Sequence, residues 1–116
     1  NQQREKEKFF IKKELQSILN LYAKMVSNGS WKDYSFTSGI KEVSFDVYQR
    51  ASEKPVLRIL KNLKPKYFNE KYLIKDKNGL VIKKSENLKS LIDQFQQHWR
   101  RSAMDQLKSK KLYRMQ

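Results

Sequence analysis

Between Phe9 and Val26, apolar residues return every three or four positions. Leu15, Ile18, Leu19, Tyr22 and Val26 fall on one stripe, while Lys12, Lys13, Glu14, Gln16 and Lys24 lie largely elsewhere. That spacing predicts an amphipathic helix with its stripe against a core. Asn28-Gly29 supplies a left-handed stop, so the helix ends near Ser27. Phe9 and Phe10 precede the stripe and fold back on it at the entry.

From Trp31 the period changes to two. Residues 31–36 read as a short first strand and Thr37-Ser38-Gly39 as a turn. Val43, Phe45 and Val47 then alternate with Ser44, Asp46 and Tyr48, the pattern of a half-buried strand. After a loop, Leu57 and Ile59 continue one face, and Val56, Arg58 and Leu60 the other. A one-residue slip inverts every side chain, so the faces decide the register. A three-residue loop, Ala51-Ser52-Glu53, sets Val47 against Leu57, Phe45 against Ile59, and the charges of Asp46 and Arg58 against each other.

The second hairpin yields to the same argument. A two-residue type I′ turn at Asn78-Gly79 would put Ile74 across from Lys83. A three-residue loop, Lys77-Asn78-Gly79, with Gly79 left-handed in a bulge, pairs Ile74 with Ile82 and Asp76 with Leu80. Tyr72, Ile74, Leu80 and Ile82 then share a face, so the bulged loop is expected. Residues 61–70 contain Pro65 and show no period, which reads as a connecting loop. Ser85 is the expected N-cap of a second helix. Along it Leu88, Leu91, Ile92, Phe95, Trp99, Ala103 and Leu107 continue at helical spacing well past the core.

These elements predict a two-layer α+β domain: an N-terminal helix, an antiparallel sheet of four to five strands and a long C-terminal helix, with both helices on one face. With 116 residues there is room for one core, assigned to residues 9–99, leaving residues 100–116 as a basic helical extension or tail. The order resembles double-stranded-RNA-binding domains, but the extra hairpin and a missing lysine signature at the last helix argue against that group.

At this point the residues resemble a family. Glu14-Leu15, Ile18-Leu19-x-Leu21-Tyr22, Met25-Val26 and Gly29-x-Trp31-x-Asp33-Tyr34 are similar to the opening signature of an alphaproteobacterial domain-of-unknown-function family, number 2794. Phe45-x-Val47-x-x-Arg50-x-Ser52-Glu53-x-Pro55-x-x-Arg58-Ile59 resembles its central signature. Gly79-Leu80-Val81-Ile82-Lys83 and the helix from Leu88 also correspond, so the likeness spans residues 10–95. The resemblance implies a small bacterial, cytoplasmic domain and brings no activity, cofactor or catalytic residue.

Composition narrows the function classes. Zero cysteines exclude disulfides and thiolate metal sites, which fits a reducing cytosol and other compartments as well. No apolar run approaches the length of a membrane-spanning helix. His98 is the only histidine and has no neighbouring carboxylate pair, and the three glycines are scattered turn residues rather than a phosphate-cradling loop. No catalytic, cofactor-binding or metal-binding residue is therefore assigned, and the chain reads as a binding module rather than an enzyme.

Charge supplies the candidate chemistry. The net charge is +14, with eight basic and two acidic residues in 61–84 and six basic and one acidic in 100–116. A domain this basic fits a nucleic-acid binder acting through phosphate contacts, although a Lys-, Ile- and Asn-rich chain is also what an AT-rich genome produces. The expected polyanion-binding residues are Arg50, Arg58, Lys75, Lys83, Lys84, Arg100, Arg101, Lys108 and Lys111. The alternative is a protein-interaction or assembly module. Tyr48, Val56, Leu60, Leu73 and Val81 are expected on the outer sheet face, an apolar patch open to a protein partner, a second copy or unpaired bases. The competing reading covers that face with residues 61–70 or the helical extension.

Overall fold

The computed structural model describes residues 7–50 and 54–114, except the side chains of Gln106 and residues 109–114. Helix α1 (Lys12–Ser27) is followed by strands β1 (Asp33–Ser38), β2 (Glu42–Tyr48) and β3 (Leu57–Asn62). A short 3-10 turn (Phe68–Glu70) leads to β4 (Tyr72–Asp76), β5 (Val81–Ser85) and helix α2 (Leu88–Arg114). The five strands form one antiparallel meander in the order β1-β2-β3-β4-β5. Both helices cover one face: Ile18, Leu21 and Met25 from α1 and Leu88, Leu91, Ile92 and Phe95 from α2 share a core with Phe45, Val47, Leu57, Ile59 and Ile74. The two-layer α+β architecture is as the hydrophobic pattern predicts.

The first long hairpin has the predicted register. Phe45 faces Ile59, Asp46 faces Arg58 and Val47 faces Leu57. The loop assigned to Ala51-Ser52-Glu53 itself lies outside the described residues. The first strand begins and ends two residues later than its predicted span of 31–36, at Asp33–Ser38. Trp31 is instead a buried core residue whose ring lies 5.9 Å from Phe95.

The second hairpin combines both registers considered for it. Near the turn the bulged loop holds: Gly79 has φ of +82°, its N–H bonds Asp76 O at 3.0 Å, and Asp76 N–H bonds Leu80 O at 2.9 Å. Beyond Lys75, which faces Val81, the pairing slips by one residue, and Ile74 faces Lys83 rather than Ile82. The expected Ile74–Ile82 pair is therefore corrected. A bulge on the edge strand absorbs the extra residue, and Ile82 packs half-buried against the core without opposing Ile74.

Helix α1 buries Glu14, Ile18, Leu21 and Met25, a stripe rotated by about one residue from the predicted one. Leu19 and Val26 are exposed instead. A carboxylate occupies a core position because its partners come from elsewhere in the chain. Glu14 Oε1 accepts the Ile11 N–H at 2.8 Å and Lys61 Nζ at 2.7 Å, and Oε2 accepts the Tyr72 hydroxyl. Lys61, fully buried, also donates to Phe9 O at 3.1 Å and pairs with Glu7 at 2.8 Å. The expectation that residues 61–70 are all loop is corrected accordingly: β3 continues through Asn62, and Lys61 is one of its core-facing residues. Burial first, then the Glu14 carboxylate, pushes the Tyr72 hydroxyl well above its ordinary pKa.

The N-cap of α2 is Asn87 rather than Ser85. Asn87 Oδ1 accepts the Ser90 N–H at 3.0 Å, while Ser85 Oγ accepts the Asn87 N–H at 3.1 Å and shapes the approach.

Candidate functional site

The meander gives the sheet two ends. At one, called lower, β2 and β4 finish and β3 and β5 begin; at the other, upper, lie the β1–β2 turn and the β3–β4 connection. Helix α1 starts at the upper end, where Glu14 meets Lys61 and Tyr72. Helix α2 also starts there, after β5, and meets Trp31 through Phe95 at the lower end. The two helices thus run the same way, and everything in α2 beyond Trp99 leaves the domain at the lower end.

The outer face carries a polar network in its middle. Asp46 is buried there; Thr37 Oγ1 donates to its Oδ2 at 2.6 Å, and Ser44 Oγ and Arg58 Nε donate to Oδ1 at 2.8 and 2.9 Å. Arg58 Nη2 reaches Ser44 Oγ at 3.0 Å. The network ties β1, β2 and β3 together and commits two of the Arg58 donors to the fold. Lys75 faces Arg58 across the β3–β4 pair and is half-buried.

The residues expected to form an exposed apolar patch are not equivalent. Leu60 is only 1% exposed, so it is no contact residue; it stands between Ser44 and Leu73 in the row across the sheet. Val56 packs partly buried against the core, and Tyr48 is half-buried with its hydroxyl 3.0 Å from Ser35 Oγ. Leu73 is half-buried beside a shallow cavity of about 480 Å³ that it shares with Glu70, Val81, Lys84 and Gln94. Of the five only Val81 is exposed, at 48%.

The basic residues divide between the two ends. Strand alternation separates a neighbouring pair, and the β5 bulge decides which turns outward. Lys84 faces Leu73 on the outer face and is exposed, whereas Lys83 faces core residue Ile74 and is half-buried at the helix-side edge, and both line the cavity beside Leu73. Arg50 is exposed just beyond β2 at the lower end. Arg100, Arg101 and Lys108 are exposed on the projecting part of α2; Lys111 lies on the same helix, its side chain outside the described residues. About 18 Å of helix rise separates Leu88 at the upper end from Arg100. The structure therefore groups Arg100, Arg101 and Lys108, and leaves Lys83 and Lys84 on a different part of the domain.

Among the described residues no group of three His, Cys, Asp or Glu could hold a metal ion, and His98 is exposed. Every described buried side-chain nitrogen or oxygen has a hydrogen-bond partner. No described helix is long and apolar enough to cross a membrane. Sequence reasoning missed the Glu14–Lys61–Tyr72 cluster. The one available signal was a Lys at the position where the β3 alternation, carried on from Leu57 and Ile59, calls for a core residue.

In comparisons with known proteins, the model of one family, described as a protein of unknown function (DUF2794), matches residues 8–92. No curated protein and no solved structure matches the chain.

Proposed function

The chain belongs to the DUF2794 family, and from that premise and the placement of charge we propose that it is a non-catalytic, cytoplasmic bacterial module that binds nucleic acid through phosphate contacts. One observation carries the reading. Helix α2 continues past Trp99, which still packs partly buried against the core, to Arg114, and this projecting part presents Arg100, Arg101 and Lys108 to solvent. Residues 100–116 hold six basic residues against one acidic, and no buried carboxylate pairs with the exposed three among the ion pairs found. A helix that projects past the core can lie along a groove or backbone, and its cations contact phosphates without reading bases. Arg50 stands at the end of the domain from which the helix projects.

The test is binding of labelled single-stranded RNA and duplex DNA to the full chain and to the variant Arg100→Glu/Arg101→Glu/Lys108→Glu. All three side chains are exposed, so the variant keeps its fold. Affinity falls by more than about tenfold, uniformly across sequences. Undiminished affinity contradicts the proposal.

A second reading, docking of a protein partner, draws on Met104 and Leu107, exposed at 55% and 58% on the same projecting half. Apolar side chains there serve an apolar groove better than a phosphate backbone. Leu107→Ser, which leaves the charge unchanged, abolishes capture of such a partner while leaving nucleic-acid affinity nearly unchanged, which separates the two.

A further inference from the structure

The upper end of the sheet carries a feature that the basic helix does not use. Ile40, at the tip of the β1–β2 turn, is 91% exposed, and Phe68 and Tyr67, in the β3–β4 connection, are 81% and 56% exposed. These are large apolar groups held out in water on two neighbouring loops. The loops are joined, since Leu63 N–H bonds Lys41 O at 2.9 Å. Their midpoints are two strand spacings apart, about 10 Å.

The exposure is built in. The Glu70 N–H bonds Tyr67 O at 3.0 Å and the Lys71 N–H bonds Phe68 O at 3.1 Å, closing the 3-10 turn. Asn62 anchors the same turn to β3: its N–H bonds Lys71 O at 2.7 Å and its side-chain amide bonds Glu70 O. A turn so constrained fixes Phe68 outward instead of letting it fold onto the domain. Between the two loops lies a cavity of about 480 Å³ lined by Ile40, Leu63, Lys64 and the segment Glu7-Lys8.

Charge surrounds these tips. Lys41, Lys64 and Lys66 are exposed at these tips, whereas Glu42 and Glu70 are half-buried and Glu7 is paired with Lys61. Lys66 lies with its ammonium 5.5 Å from the Tyr67 ring centroid. Lysines flanking protruding apolar side chains can keep their heads among anionic headgroups while the apolar groups enter the acyl boundary. Three separate projections from two loops make a poor surface for a folded protein, which needs a continuous complementary patch. A bilayer yields around each one. Ile40 also speaks against base stacking, which calls for a ring at every contact.

We propose that this end of the domain docks on an anionic membrane surface, with Ile40, Tyr67 and Phe68 inserted at the headgroup boundary and the exposed Lys41, Lys64 and Lys66 among the headgroups. The site is separate from the projecting helix, so the two proposals stand or fall independently.

The test is co-sedimentation of the full chain with vesicles of phosphatidylcholine alone or with roughly a third phosphatidylserine. Because a chain of charge +14 is attracted to any anionic surface, the deciding variant is Ile40→Ser/Phe68→Ser, which leaves charge unchanged. Both side chains are exposed, so the thermal midpoint stays at that of wild type. The chain binds the anionic vesicles, and the variant loses roughly tenfold or more in partitioning. Absence of vesicle binding overturns the proposal, as does binding that the variant leaves intact. Loss of single-stranded RNA affinity in the variant, with vesicle binding unchanged, overturns it in favour of base stacking.

Discussion

Replacing Glu14 by Ala removes one carboxylate and strands several groups at once. Lys61 loses its 2.7 Å partner, the Ile11 N–H its acceptor and the Tyr72 hydroxyl its acceptor, all at the upper end of the core. Breaking a buried ion pair by deleting one member costs about 3–5 kcal/mol, because the other charge is left without compensation. Here Lys61 keeps Phe9 O at 3.1 Å and Glu7 at 2.8 Å, but the Glu7 side chain is 43% exposed and its attraction is weakened by solvent. The cost therefore falls near the lower bound, about 3 kcal/mol, which in a domain of this size lowers the thermal midpoint by roughly 15 °C. Thermal and urea unfolding followed by circular dichroism measure it. The complementary variant is Glu14→Leu/Lys61→Met/Tyr72→Phe, which fills the same space with apolar groups and leaves no orphan. It recovers to within about 1 kcal/mol of wild type or exceeds it, since a buried pair is worth little more than its hydrophobic replacement. The reasoning is refuted if Glu14→Ala costs less than about 1 kcal/mol, or if the triple variant is as unstable as the single one.

Two further outcomes follow from the same region and from the helix cap. The Tyr72 hydroxyl is raised mainly by burial and then by Glu14, so the stability it supports is complete below its ordinary pKa of about 10 and is lost as pH climbs above that value. The urea midpoint of wild type accordingly drops more steeply above about pH 10 than that of Tyr72→Phe; equal slopes contradict the assignment. Asn87→Ala destabilises α2 by about 1 kcal/mol while Ser85→Ala costs less, read as a difference in unfolding midpoint; the reverse order would restore Ser85 as the cap.

Much of the fold was legible because local and cross-strand patterns agreed. In the first long hairpin, Phe45–Ile59, Asp46–Arg58 and Val47–Leu57 are satisfied by one register only, and that register is found. The left-handed glycines at positions 29 and 79 were equally plain, each following an asparagine at a turn. What stayed hidden depended on partners distant in the chain. Glu14 reads as a solvent-facing residue until Lys61, 47 positions away, is placed beside it. The Ile82 bulge sits on an edge strand, where a single neighbour specifies register only weakly, so two registers fit the same residues. Leu60 looked exposed because alternation assigns a face and not a depth. The uneven distribution of basic residues was readable directly. Its division between two ends was not, because it depends on the parallel course of the two helices and on the faces that the β5 bulge gives Lys83 and Lys84.

Phosphate contacts from the projecting half of α2, as proposed above, make nucleic-acid binding depend on salt. Affinity for single-stranded RNA, measured across a range of potassium chloride concentrations, falls linearly on logarithmic axes with a slope of about −0.7 per phosphate contacted. Arg100→Glu/Arg101→Glu/Lys108→Glu makes that slope shallower by about 2, the loss of three contacts. A wild-type affinity that does not change with salt, or a slope that the variant leaves unaltered, would contradict the claim.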